Sequence, residues 1–202
     1  MAVLSDRDIR KRLTAPDVYP PSAKKKIARL GVRPCADHQV QPASIDLTLS
    51  NEFMVYPGSP EIIGGLTSTY AIDMDRAKEV KPRRYVSAEW RLDPHELVLC
   101  STEEYVEIPN DIQAQVHGKS SLGRIGLLVH VTAGFIDPGF KGNITLEMYN
   151  LNKRPIILRA GKPICQLSLM ALSTAAEFPY GHEKLNSKYQ NQRGVQASLY
   201  DG

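Results

Sequence analysis

The chain has 202 residues, with 25 Lys and Arg against 22 Asp and Glu, so its formal charge is only +3. Hydrophobic residues make up 42% and charged residues 23%, a globular composition that excludes wholesale disorder. So small a charge does not mark a nucleic-acid binder, and no apolar run reaches the ~18 residues of a membrane span. At roughly 150 residues per domain, residues 1–202 read as one domain. The opening MAVLSDRDIRKRL is charged too early for a signal peptide. Cys35, Cys100 and Cys165 are scattered and odd in number, as expected of reduced thiols in a cytoplasmic protein.

In chain order, Ser5 and Asp8 ahead of Ile9 and Leu13 predict a short capped amphipathic helix. A second is predicted over Ser22–Leu30, stopped by Gly31, with Lys24, Lys25 and Lys26 on a solvated face. The period then changes to two. Ile45, Leu47, Leu49, Phe53 and Val55 share one parity, and Asp46, Thr48 and Ser50 take the other. Residues 66–92 show no clear period, and 59–92 carry no recognisable chemistry. Strands follow at Leu97–Cys100, Tyr105–Ile108, Ile112–Val116, Leu127–Val131, Ile144–Met148, Ile156–Leu158 and Ile164–Met170. Turn formers separate most of them at about 8–12 residues, the signature of an all-β sandwich or barrel. From Phe178 the chain turns polar, so residues 178–202 read as an arm or lid that adds little core.

The densest chemistry lies in HGKSSLGRIGLLVHVTAGFIDPGFKG, residues 117–142. Lys119, Ser120, Ser121, Leu122, Gly123 and Arg124 combine hydroxyls, two cations and a glycine, a composition that suits either an anion or a polar hairpin turn. The Walker pattern is absent, and no helix is expected there. Asp137, before Pro138-Gly139, either makes a turn or meets a sugar hydroxyl. Glu147 falls on the polar face of its strand, where a covering subunit would desolvate it and raise its pKa toward general acid–base use. The five histidines form no HxxxH or His-x-Glu set, and Pro34-Cys35 lacks the second cysteine of a zinc deaminase half-motif. A metal site and zinc are not expected. No G-x-S-x-G marks a serine nucleophile.

These pieces together resemble the dCTP deaminase branch of the dUTPase superfamily. The resemblance is carried by LSDRDI, QPASIDLTL, GKSSLGR, HVTAGFIDPGFKGNITLE, GKPICQL and PYGHEKLNSKYQNQRG, spread over almost the whole chain. It implies a distorted β-sandwich, all-β with short N-terminal helices, assembled as a homotrimer with active sites between subunits. By resemblance, Lys119–Arg124 binds the triphosphate, Asp137 sits at the deoxyribose, and Thr145, Leu146 and Glu147 line the base. Gln166, Tyr180, Lys188 and Gln192 join them from the last strand and the arm. Glu147 would activate the attacking water, positioned by Ser120 and a carbonyl near Thr132–Ala133, with Arg124 orienting the site. The resemblance further implies dCTP as substrate, Mg²⁺ carried with the triphosphate, no zinc, dTTP as feedback inhibitor, and no nucleic-acid or membrane partner.

Ala133-Gly134 resembles the branch that converts dCTP directly to dUMP, and Gly134 is expected to leave room for a second water near the α-phosphate. A deaminase releasing dUTP is the alternative. A plain dUTPase is weakened by the deaminase-type tail, and an inactive regulatory trimer by the presence of Glu147, Ser120 and Arg124.

Overall fold

The computed structural model describes residues 2–17, 27–56, 62–63, 66–67 and 74–200. Five long strands carry the architecture: β1 (Ser44–Val55), β2 (Leu97–Glu107), β3 (Ile112–Gly118), β4 (Lys141–Asn150) and β5 (Pro163–Ala171). Their spatial order is β4-β2-β1-β5-β3, with antiparallel neighbours throughout. Leu127–Leu128 extends the sheet beside β4, and Phe135–Ile136 extends it beside β3.

β1 turns this sheet into a sandwich. Its first half pairs with β5, placing Ile45 opposite Leu167 and Leu47 opposite Cys165. Its second half pairs with β2, placing Phe53 opposite Cys100 and Met54 opposite Leu99. The register breaks between Leu49 and Phe53, and an irregularity of this kind bends a strand and increases its twist. The sheet therefore curls, and both halves of β1 point into one core. Ile45, Leu47, Phe53, Leu146, Met148, Leu167 and Leu169 are all at 0% exposure there. The predicted parity holds through Leu49. Past the irregularity Met54 is buried as well, against Leu99 and Val195.

The sequence divides β2 in two, whereas the structure runs one strand from Leu97 to Glu107. The polar residues that suggested a break, Ser101, Thr102 and Glu104, are buried. Each finds a distant partner. Ser101 Oγ lies 2.8 Å from Ser50 Oγ, and Thr102 Oγ1 accepts the Ile144 N–H at 3.0 Å. Glu104 accepts from Gln39 Nε2 at 2.7 Å and from the Thr48 N–H at 2.8 Å. A buried carboxylate is tolerable when its oxygens are satisfied in this way.

Helix α1 (Asp6–Leu13) confirms the first predicted helix. Ser5 occupies the N-cap position, but its hydroxyl lies 3.4 Å from Asp8 Oδ2 and does not cap a backbone N–H. Ile9 is fully buried, and Arg12 grips Asp111 with two bonds of 3.0 and 2.8 Å, tying α1 to the turn before β3. Of the second predicted helix, Ser22–Lys26 lie outside the described residues, and 27–30 are irregular. Leu127–Val131 shortens to Leu127–Leu128. No helix among the described residues is long and apolar enough to cross a membrane.

Phe53 is the point where the core depends most on one ring, being fully buried and stacked on Trp90 at 5.2 Å between centroids. Phe53→Ala is expected to lower stability by about 4 kcal/mol, read by urea unfolding. A loss below about 1 kcal/mol would contradict this packing role.

Candidate active site

β4 supplies the floor of the site. Its residues alternate strictly, with Ile144, Leu146 and Met148 buried in the core while Thr145 and Glu147 face the other way, half-buried. Above them opens a cleft of about 500 Å³. One wall is the 133–140 segment, with Ala133, Phe135, Ile136, Asp137 and Phe140. A second wall is the arm, with Tyr180, Tyr189, Gln192, Gln196, Ala197 and Ser198; Leu97, Leu99 and Tyr56 complete the lining.

The turn reading of Asp137 is borne out by the structure. Asp137-Pro138-Gly139-Phe140 is a turn closed by the Phe140 N–H on the Asp137 carbonyl at 3.2 Å. Proline at its second position and Gly139 at φ +93° at its third are what a type II turn requires. The Asp137 carboxylate meanwhile lines the cleft.

Glu147 is the chemically distinctive group. Burial pushes its carboxyl above the usual carboxylate range, opposed by the backbone N–H groups of Val131 and of Glu147 itself and by the nearby His130. Its Oε2 is buried and has no hydrogen-bond partner in the chain, and neither has Nδ1 of His130. Orphaned buried polar atoms are rare and call for an explanation. Glu147 lines the cleft, where a substrate or water can satisfy its Oε2.

The arm is fastened to this floor. Gln192 Nε2 donates to the Asn143 carbonyl and to Thr145 Oγ1, and Thr145 Oγ1 also accepts the Gln196 N–H at 3.2 Å. The Tyr180 hydroxyl accepts the Tyr189 N–H at 2.9 Å. Burial raises the Tyr180 pKa, partly offset by that bond.

A second group of predicted residues stands outside the cleft lining. After Gly118 the chain makes one helical turn, α2 (Ser120–Gly123), where the sequence reading expected no helix. Ser120, Ser121, Gly123 and Arg124 are exposed, and Leu122 is half-buried. Lys119 Nζ lies 2.8 Å from Asp46 Oδ2. Gln166 Nε2 reaches Asp46 Oδ1 at 3.3 Å, and Gln166 pairs directly with Asp46 across β1 and β5. One carboxylate thus holds both the lysine and the glutamine. Lys188 sits over the Tyr200 ring at 5.2 Å, and the fully buried Leu146 side chain belongs to the core and not to the cleft lining.

A profile of the dCTP deaminase-like family matches residues 3–172. The chain belongs to that family. It is 44% identical over 194 residues to the "dCTP deaminase, dUMP-forming" of Rhodococcus erythropolis, covering 95% of this chain and 93% of the relative. It is 37% identical over 201 residues to the protein of the same description from Methanobrevibacter smithii, covering 98% and 95%. The crystal structure of the 2′-deoxycytidine 5′-triphosphate deaminase of Agrobacterium tumefaciens superposes with a TM-score of 0.55 at 26% identity. That match covers 83% of this chain and 47% of the other, about half its length.

Of the residues expected in a dCTP deaminase-like site, Ala133, Asp137, Thr145, Glu147, Tyr180 and Gln192 come together in one cleft. Lys119–Arg124, Gln166 and Lys188 are not in its lining. Sequence reasoning missed Asp46, His130, Tyr56, Tyr189 and Gln196. Asp46 lies within QPASIDLTL, but nothing local in that motif reveals that its partner is 73 residues away (119 − 46). Among the described residues no group of three His, Cys, Asp or Glu is gathered as a metal would need.

Proposed function

We propose that this protein hydrolyses dCTP to dUMP, diphosphate and ammonia, using two waters. The observation that carries this reading is the Glu147 carboxylate, with one oxygen buried and unpartnered at the floor of the cleft. In the first step Glu147 takes a proton from a water that adds to C4 of cytosine. It delivers that proton to N3, then moves the proton of the new C4 hydroxyl to N4, so that C4=O forms as the C4–N4 bond breaks and ammonia leaves. A raised pKa suits a carboxylate that must act first as base and then as acid. In the second step water attacks the α-phosphorus and diphosphate leaves. The relatives described as dUMP-forming support this second step.

Mg²⁺ arrives as part of the substrate, held by phosphate oxygens and water. Lys119, Ser120, Ser121 and Arg124 meet the triphosphate, Asp137 meets the deoxyribose, and residues 178–202 act as a lid within a single domain of residues 1–202. The exposure of the Lys119–Arg124 segment beside the exposed apolar side chains Ile125, Leu128 and Leu151 supports a homotrimer in which a second copy covers this edge. The protein works in the cytoplasm, and dTTP, sharing sugar and triphosphate, competes for the site.

Incubation with Mg–dCTP, with products separated over time, tests the reading. Ammonia, diphosphate and dUMP are expected in equal amounts. Accumulating dUTP without diphosphate would leave a deaminase only. Hydrolysis of dUTP with no ammonia from dCTP would make the protein a dUTPase and defeat the proposal.

A further inference from the structure

The chain between β1 and β2, unassigned by sequence, touches the arm at two described points. Arg84, on a short strand (Arg83–Val86) paired with the end of β1, donates from Nη2 to the Val195 carbonyl at 2.7 Å. Glu52, on β1, accepts the Val195 N–H at 3.2 Å through Oε2, and that oxygen lies 3.5 Å from Arg84 Nη1. The backbone of Val195 is thus gripped on both its polar groups by one ion pair. Further along, the Lys78 N–H donates to the Tyr200 carbonyl at 3.3 Å.

Two features of the arm fit this grip. Gly194 has φ +63°, which favours glycine, and a Cβ there would lie 2.1 Å from Glu52 Oε2 and push the carboxylate from its present place. The Val195 side chain is at 0% exposure, packed on Met54 and Leu99, although the sequence reading gave the arm little core. On either side of Val195 lie the arm residues that line the cleft: Tyr189 and Gln192 before it, Gln196, Ala197 and Ser198 after it. The strand pairing itself is made by backbone groups, so Arg84's fork on Val195 serves the arm and not the strand.

We propose that Glu52 and Arg84 form a clasp that holds the C-terminal arm closed over the cleft and so act as positioning residues for substrate binding. The substrate, dCTP, is taken from the function proposed above. The side chains of the pair are 30% and 47% exposed, so water can replace their bonds when the arm opens. A clasp of this kind sets the fraction of enzyme already closed. Losing it lowers that fraction, which raises the apparent KM in inverse proportion and leaves kcat at saturation nearly unchanged.

The test uses the full chain carrying Arg84→Met, Arg84→Lys or Glu52→Gln. For Arg84→Met, KM for Mg–dCTP is expected to rise roughly tenfold, the scale of a lost charge-assisted bond, with kcat within about twofold of wild type. Trypsin cleavage after Arg193, followed by mass, is expected to quicken by a similar factor. Arg84→Lys, which keeps the charge but loses the fork, should fall between. Trp90, the only tryptophan, lies 5.2 Å from the Tyr85 ring next to Arg84, so unchanged Trp90 emission shows the strand is still paired. Wild-type KM and wild-type cleavage in Arg84→Met with normal Trp90 emission would overturn the clasp. Should the emission change, Glu52→Gln decides by the same two readouts, wild-type values again overturning it. A wild-type protein that releases no ammonia from dCTP would defeat the functional reading, and trypsin cleavage would still decide the clasp.

Discussion

Replacing Glu147 by Gln will stop ammonia release from dCTP, lowering turnover by roughly 10³-fold or more, the usual scale for removing a general acid–base group. Binding of the nucleotide should survive, because the amide has the same shape and stands where Oε2 has no partner. Rate and stability should move in opposite directions. Burial raises the Glu147 pKa in the folded state, so the protonated form is the better accommodated. Its contribution to stability is complete below the unfolded carboxylate value and is lost as pH rises through the raised folded value. At neutral pH and above, Glu147→Gln should therefore melt higher than wild type, and the difference should vanish in acid. In the wild type, kcat/KM should fall as pH drops through the same raised pKa, because the base must be ionised to accept the proton. Full activity in the Gln variant, or a Gln variant less stable at neutral pH, would remove Glu147 from this role.

What could be read from sequence follows the range of the signal. Alternation is local, so the chain alone places Ile45, Leu47 and Leu49 and Ile144, Leu146 and Met148 in the core, and all six are buried. The break placed inside β2 failed because the partners of Ser101, Thr102 and Glu104 come from distant strands, and without them a polar run reads as a turn. The same reason hid Asp46 and the clasp: Glu52 and Arg84 look like solvated charges until the arm returns to them from residue 195. The motif resemblance reached Glu147, Asp137 and Thr145 because family motifs preserve what folding brings together. It gave no sign of which members share a cleft within one chain. That division, with Glu147 in the cleft and the Lys119 segment outside its lining, follows from the strand order of the curled sheet.

Gly134→Ala is expected to separate the two hydrolytic steps. The sequence reading took glycine here as a source of empty space, but the structure fills that space. A Cβ at Gly134 would lie 3.0 Å from the Val116 carbonyl oxygen and 3.1 Å from both Cε1 and Nε2 of His130. The Gly134 backbone is tied there, its carbonyl accepting the Val116 N–H at 2.8 Å. Of these neighbours the His130 ring is the side chain that can give way. That ring stands close enough to Glu147 to help hold its pKa down, and its own Nδ1 is buried without a partner. Glycine thus admits an imidazole close to Glu147. On the function proposed above, a displacement of a few tenths of an ångström there would misplace the second water. Deamination, assigned in the proposal to Glu147, should lose less than roughly tenfold. The second hydrolysis should lose roughly 10²-fold, the scale of a misplaced reacting group. Quenched time courses with Mg–dCTP would then show dUTP accumulating while ammonia release continues. Equal yields of dUMP and ammonia from the Ala variant would mean that neither the glycine nor the ring it admits governs the coupling.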